Sequence, residues 1–229
     1  MKILAFSCLT LLLSGCSEGV LTDALTEGII EYTITFPDYD EDGLMSGMLP
    51  DKSTLKFKNG KEVNELSAGM GVFKTLIVAN TDDKLVDYHL TVLGKRLVST
   101  IRPEEIEDVM KQEGTKNYIY TNEVDTIAGY PCKKVIVVFD EVDTKEIEIF
   151  YTEEIRMKDV NWYNPFKEIP GVMMRYEFDQ YDMRMKLEAS SVLATEVPES
   201  EFDRQSDFEE VQPTRIKHEL EEVLSTFSL

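Results

Sequence analysis

Asp38, Asp40 and Asp42, followed by Gly43, stand at the alternate spacing with which a calcium loop converges carboxylates on one ion, the glycine permitting the sharp turn. Leu49 occupies the twelfth position, where a complete loop of that kind carries a bidentate glutamate, and strand-like rather than helical sequence flanks the stretch. Two readings follow: a calcium site on Asp38, Asp40 and Asp42, or a solvated acidic hairpin. Cys132, the other reactive type, follows Pro131 at the start of a β-rich run with neither His89 nor His218 near it, which predicts a buried core thiol rather than a nucleophile. Two histidines give a hydrolytic triad little to draw on, and among 44 acidic residues paired carboxylates carry no information about catalysis. No enzyme is expected. Met45, Met48, Met70, Met173, Met174, Met183 and Met185 lie on or beside predicted strands, where unbranched thioethers either fill a core or line a surface that adapts to irregular apolar ligands.

The elements that position these residues are mostly strands. Ile30, Tyr32, Ile34 and Phe36 alternate with Glu31, Thr33 and Thr35, the period of a half-buried strand. Leu55 and Phe57 lead to Asn59-Gly60, a pair suited to the positive φ angles of a type I′ hairpin turn. Further strands are expected over 72–79, 85–92 and 96–101, a β-meander. Pro103 then opens a short helix, with Glu104 and Glu105 at the positive end of its dipole and Ile106, Val109 and Met110 at helical spacing. Strands resume over 117–121, 134–139 and 145–151, followed by an aromatic loop, 161–170. In the last hairpin Val172, Met174, Tyr176 and Phe178 alternate with Met173, Arg175 and Glu177, and Tyr181, Met183, Met185 and Leu187 alternate with polar residues. This predicts an antiparallel sheet packed on one side only. An acidic run over 196–210 reads as loop and edge strand. Ile216, Leu220, Val223, Leu224 and Phe227 predict a C-terminal amphipathic helix over 213–227.

At the N-terminus Lys2 precedes an apolar run from Ile3 to Leu13, too short for the roughly 20 residues of a membrane-spanning helix. Leu13-Ser14-Gly15-Cys16 ends it. This stretch resembles the lipobox of bacterial lipoproteins, which implies a signal peptide over 1–15, lipidation of Cys16 and a tether over 16–26. Acyl chains at about 0.8 kcal/mol per buried CH₂ then hold the protein to a membrane. Ser17 stands where, in enterobacterial lipoproteins, an aspartate favours the inner membrane. The resemblance therefore implies an outer-membrane lipoprotein in the envelope of a Gram-negative bacterium. Glu18 is similar to the acidic residues after the cysteine in surface-displayed lipoproteins of Bacteroidetes, and the face of the membrane stays open.

Composition bounds the remainder. Residues 27–229 suffice for one domain, and no Pro/Gly/Ser-rich linker divides them. A formal charge of -20 repels nucleic acid and anionic head groups, so no nucleic-acid partner is expected. Of three cysteines, Cys8 leaves with the signal and Cys16 is acylated, so Cys132 has no partner for an intramolecular disulfide.

Three stretches resemble a family. Thr126-Ile127-Ala128-Gly129-Tyr130-Pro131-Cys132-Lys133-Lys134, then Phe150-Tyr151-Thr152-Glu153-Glu154-Ile155, then Pro165-Phe166-Lys167-Glu168-Ile169-Pro170-Gly171-Val172 are similar to the ordered signature of GLPGLI-type exported proteins of Bacteroidetes and of LolA-like or LppX-like lipoproteins. The resemblance covers residues 117–200. It departs in having Val172 for leucine, in lacking a second Gly-Leu-Pro triplet, and in the added C-terminal helix. It implies a mainly β fold: a strongly curved antiparallel sheet, a half-barrel, with one or two packing helices. It also implies a concave apolar face, which in relatives with known roles shelters acyl chains; joined to the methionine pattern, this gives the expectation that Tyr176, Phe178, Met183 and Met185 line a face that binds a lipid or lipoprotein acyl chain. The other expectation is a protein-interaction or scaffold lipoprotein with a solid core, docking a partner through its acidic surface and the aromatic loop Trp162-Tyr163-Asn164-Pro165-Phe166.

Overall fold

The computed structural model describes residues 24–38, 49–68, 71, 73–112, 115–140, 146–180 and 183–224. The strands are β1 (Glu27–Thr35), β2 (Lys52–Lys58), β3 (Lys61–Ala68), β4 (Phe73–Asn80), β5 (Leu85–Val92), β6 (Lys95–Ile101), β7 (Lys116–Ile127), β8 (Tyr130–Phe139), β9 (Glu146–Thr152), β10 (Val172–Gln180), β11 (Met183–Leu193) and β12 (Glu209–Glu210). Two α-helices, α1 (Pro103–Gln112) and α2 (Pro213–Leu224), and a short 3-10 helix, Glu199–Phe202, complete the elements of the described residues. All strands join one sheet in the order β12-β6-β5-β4-β3-β2-β1-β11-β10-β9-β8-β7. Two meanders, β1–β6 and β7–β11, are thus fused where β1 pairs antiparallel with β11. Only β12 runs parallel to its neighbour, β6, among the described pairs. The expected class, a mainly β antiparallel sheet with two packing helices, is what the chain forms.

Local chemistry accounts for most of this. In β1 the apolar alternation buries Ile30, Tyr32 and Ile34. Asn59 and Gly60 take the positive φ values of 49° and 76° that turn β2 into β3. Residues 61–68 carry no apolar alternation that predicts a strand, yet β3 is a central one. Its core-facing positions include Glu62 and Asn64, so polar residues stand where the pattern demands apolar ones. In β10 both Met173 and Met174 are buried, where alternation alone placed Met173 on the wet side. An irregularity between Met173 and Arg175 in the pairing with β9 supplies the reason: an extra residue in one strand breaks the period of two. Tyr32 Oη donates to the Met173 carbonyl at 3.0 Å at this irregularity.

The sheet is strongly curved, as its packing requires. Cross-strand partners share a face, so Ile30, Tyr32 and Ile34 define an inner side that also carries Leu66, Ile77, Leu90, Leu97 and Tyr176. On this side α2 buries Ile216 and Leu220 against Leu90, Val92 and Leu97, each side chain contributing about 1.5–3 kcal/mol. Val223 packs against that cluster and also against Leu49 and Met183. Glu62 of β3 and Tyr176 of β10 would lie about 19 Å apart in a flat sheet at the usual strand spacing, yet they interact electrostatically and both interact with Tyr163, so the sheet folds toward itself. The loop 156–171 crosses the same side, with Phe166 and Ile169 packed on β8–β10 and Trp162 and Tyr163 packed beside Ala79, Val86 and Ile106 of α1.

The outer face corrects the one-sided expectation. The acidic run 196–210 lies across it as a strap, burying Val197 and Phe202 against Val63 and Val78. Lys56 pairs with Glu201 at 2.5 Å, Lys61 with Glu199 at 3.0 Å, and the Glu27 carboxylate accepts the Val197 N–H at 2.6 Å. Like-charged residues of the strap thus find the basic outer positions of β2 and β3, so part of the outer face of β2–β4 is covered as well.

Candidate functional site

The inner side between α2 and the α1–loop plug is apolar but not sealed. Leu66, Ile77, Tyr88, Tyr176 and Phe178 are all half-buried there, Tyr88 at the margin of the α2 cluster and Ile77 at the margin of the α1–loop cluster. Tyr176 stacks on Phe178 with ring centroids 6.2 Å apart, and Tyr32 meets Tyr176 edge-on at 6.1 Å. Met185 pairs directly across from Phe178, and both Met183 and Met185 are buried, at 9% and 7% exposure. The structure therefore brings together the four expected lining residues, Tyr176, Phe178, Met183 and Met185, along one hairpin.

Polar groups also face this side. Glu62 is buried, and burial pushes its carboxyl up to about 7, against the opposing effect of a hydrogen bond from the Tyr163 hydroxyl. Burial likewise raises Tyr32 and Tyr163 well above the ordinary phenol range. Ser53 Oγ donates to Asn64 Oδ1 at 2.9 Å. Two buried atoms on this side make no hydrogen bond: Ser99 Oγ, in the inner row Asn64–Ile77–Tyr88–Ser99, and Trp162 Nε1. Among the described residues the third such atom is Arg184 Nε, whose guanidinium is already paired with Asp38.

A second feature lies outside. Between β3–β6 and the strap is a cleft of about 310 Å³ lined by Glu65, Lys74, His89, Arg96, Gln205 and Phe208 among others. His89 is buried beneath it, its Nε2 accepting the Gln205 N–H at 3.1 Å and its Nδ1 lying 3.2 Å from the Leu76 carbonyl. An Nε2 that accepts leaves the proton on Nδ1, so His89 joins sheet to strap as a neutral imidazole. Burial lowers its pKa in the same sense.

Of the remaining sequence candidates, Cys16, Asp40 and Asp42 lie outside the described residues, as do Met45, Met48 and Met70. The Asp38 carboxylate accepts Arg184 Nη2 at 2.5 Å. Among the described residues no group of three or more His, Cys, Asp or Glu is arranged to hold a metal ion. Cys132 is buried, and burial pushes its thiol up to about 11. The aromatic loop turns inward, with Phe166 buried and the Asn161 amide donating to the Ile169 and Gly171 carbonyls at 3.0 Å each, so it presents no exposed aromatic patch.

No protein-family model matches the sequence, and no curated protein matches it. Among solved structures there are distant similarities. The chain is similar to PNGF-II, in a P21 crystal form, with a TM-score of 0.51 and 13% identity over 85% of this chain. It spans only 33% of PNGF-II. Weaker similarities are to MucB (TM-score 0.35, 9% identity, 81% of this chain and 59% of MucB) and to LprF from Mycobacterium bovis (TM-score 0.29, 14% identity, 75% of this chain and 88% of LprF). At these identities the likeness to PNGF-II bears on the fold alone.

The sequence reading did not anticipate Glu62, the Ser99–Trp162 pair or the strap cleft. Glu62 follows a hairpin turn, where a glutamate reads as solvated, and only the register with Phe57 turns it inward. The strap had one signal, the isolated apolar residues Val197, Phe202 and Phe208 within an acidic run.

Proposed function

We propose that this protein is a lipoprotein of the bacterial envelope, anchored to the outer membrane through Cys16, that shelters the hydrocarbon chain of a lipid on the inner side of its curved sheet. The observation that carries this reading is the set of half-buried apolar side chains, Leu66, Ile77 and Tyr88 on β3–β5 and Tyr176 and Phe178 on β10, on the side against which α2 and the loop pack. Incompletely covered apolar surface in a concavity is the usual lining of a hydrophobic ligand site. Tyr176, Phe178, Met183 and Met185 form one wall, and the thioethers adapt to a chain without fixed shape. The lipobox-like Cys16 suits such a protein, because a tether holds it where lipids are transferred.

Titration of the methyl-labelled protein with spin-labelled stearic acid tests the site. Broadening at Leu66, Ile77, Met183 and Met185, with the outward-facing Leu93 and Leu193 spared, is the expected result. No broadening, or broadening at Leu93 and Leu193 alone, would overturn it.

One observation favours a second reading, the interaction lipoprotein. Strand β7 ends the sheet and exposes Ile119 and Val124, at 53% and 63%. An end strand with exposed apolar residues can accept another strand. Cross-linking of β7 to a partner in intact cells, with the inner side unlabelled by the fatty acid, would select this reading.

A further inference from the structure

Buried polar atoms without a hydrogen bond are rare, and a buried indole N–H usually finds an acceptor. Here two stand in one region of the inner side. Ser99 Oγ belongs to β6, between Leu97 beneath α2 and Ile101 beside α1. Trp162 Nε1 belongs to the loop, and its ring packs in the cluster that contains Ala79, Val86 and Ile106 and borders Ile77 and Ile101. Ser99 is 1% exposed, so water does not replace the missing partner from outside. Both flank the half-buried row of Ile77 and Tyr88. An apolar ligand chain alone would leave the pair as it is, at a cost of about 1–3 kcal/mol for each buried unmade bond.

We propose that Ser99 and Trp162 are the polar anchor of the inner-side site, and that its ligand is a neutral acyl ester. The indole N–H donates and cannot accept, which requires an acceptor on the ligand. The serine hydroxyl donates to the same carbonyl or to the ester oxygen beside it. A free carboxylate fits worse: Glu62 lies on the same side of β3, Asn64 and Tyr88 in this row supply no cation, and Lys84, whose ammonium lies 4.7 Å over the Trp162 ring, is already paired with Asp159 at 2.9 Å. The carbonyl sits between the two anchors, and the chain runs over Ile77 and Leu66 toward Phe36 and Phe178. This assignment rests on the sheltering function proposed above and adds the chemical class of the ligand.

Trp162 is the sole tryptophan of the chain, so the labelled protein gives one indole N–H signal. The full chain is titrated with methyl dodecanoate and, separately, with tetradecane, an alkane of about the same length. The expected result is ester binding at least fivefold tighter than the alkane, the scale of one net hydrogen bond, with a downfield shift of the indole proton for the ester only. Ser99→Ala should reduce ester affinity about fivefold while leaving alkane affinity unchanged, and Trp162→Phe should do the same. Equal affinity for both ligands with an unmoved indole proton would overturn the anchor while leaving the sheltering reading intact. Binding of neither ligand would overturn both.

Discussion

Glu62→Gln isolates the most costly charge of the inner side. Glu62 is 7% exposed, and its carboxyl titrates near 7 in the fold against an ordinary value of 4.5. A raised folded pKa means that the native chain holds a proton which the unfolded chain releases between those values. The native state is therefore free of the penalty below pH 4.5, loses stability as pH rises, and carries the full penalty above about 7. At about 1.36 kcal/mol per pH unit the span amounts to roughly 3 kcal/mol. Glutamine keeps an oxygen to accept the Tyr163 hydroxyl and never ionises. Urea denaturation of both proteins at pH 4.5, 6 and 8 should give near-equal stabilities at the lowest pH and an advantage of about 3 kcal/mol for Glu62→Gln at the highest. A constant difference across the three values, or a less stable variant at pH 8, would refute a buried carboxyl that resists ionisation.

The other predictions are shorter. Because His89 holds the strap as a neutral base with a lowered pKa, stability contributed by this contact is complete above the ordinary histidine value near 6.5 and declines as pH falls below it. Hydrogen exchange at the Gln205 amide, corrected for intrinsic rates, should be faster at pH 5 than at pH 7, and His89→Gln should abolish that difference; equal protection at both pH values would contradict the latch. Gly171→Ala places a methyl group against the Thr152 carbonyl and the Tyr151 ring, so backbone must move, and denaturation should show a loss of about 1–3 kcal/mol. Cys132, buried with its thiol near 11, is about one part in a thousand thiolate at pH 8 and should react with a disulfide reagent only at the unfolding rate; stoichiometric labelling within minutes of mixing would show it accessible.

What the sequence foretold and what it hid divide along a physical line. Elements with one regular apolar face were legible: β1, the Asn59-Gly60 turn, and helices α1 and α2 stand within a few residues of their predicted bounds. Structure set by partners distant in the chain was not. β3 hides because Glu62 and Asn64 face inward, and their tolerance depends on Tyr163 and Ser53, which the chain brings from elsewhere. The strap reads as solvated acid until Lys56 and Lys61, about 140 residues earlier, appear beneath it. The aromatic loop looks like a docking surface until the Asn161 amide folds it back on its own carbonyls. For the site, the wall of Tyr176, Phe178 and Met185 follows from strand alternation, whereas Ser99 and Trp162 are anchors only because nothing nearby bonds them.

The central claim is that the inner side holds a hydrocarbon chain in the cell. Native mass spectrometry of the full-length protein extracted from bacterial membranes in mild detergent tests it most directly. The account predicts an adduct of acyl-ester mass, retained through buffer exchange and reduced when Ile77→Arg sets a charge among the lining residues. Protein recovered empty from native membranes, or an adduct unaffected by that substitution, would contradict it.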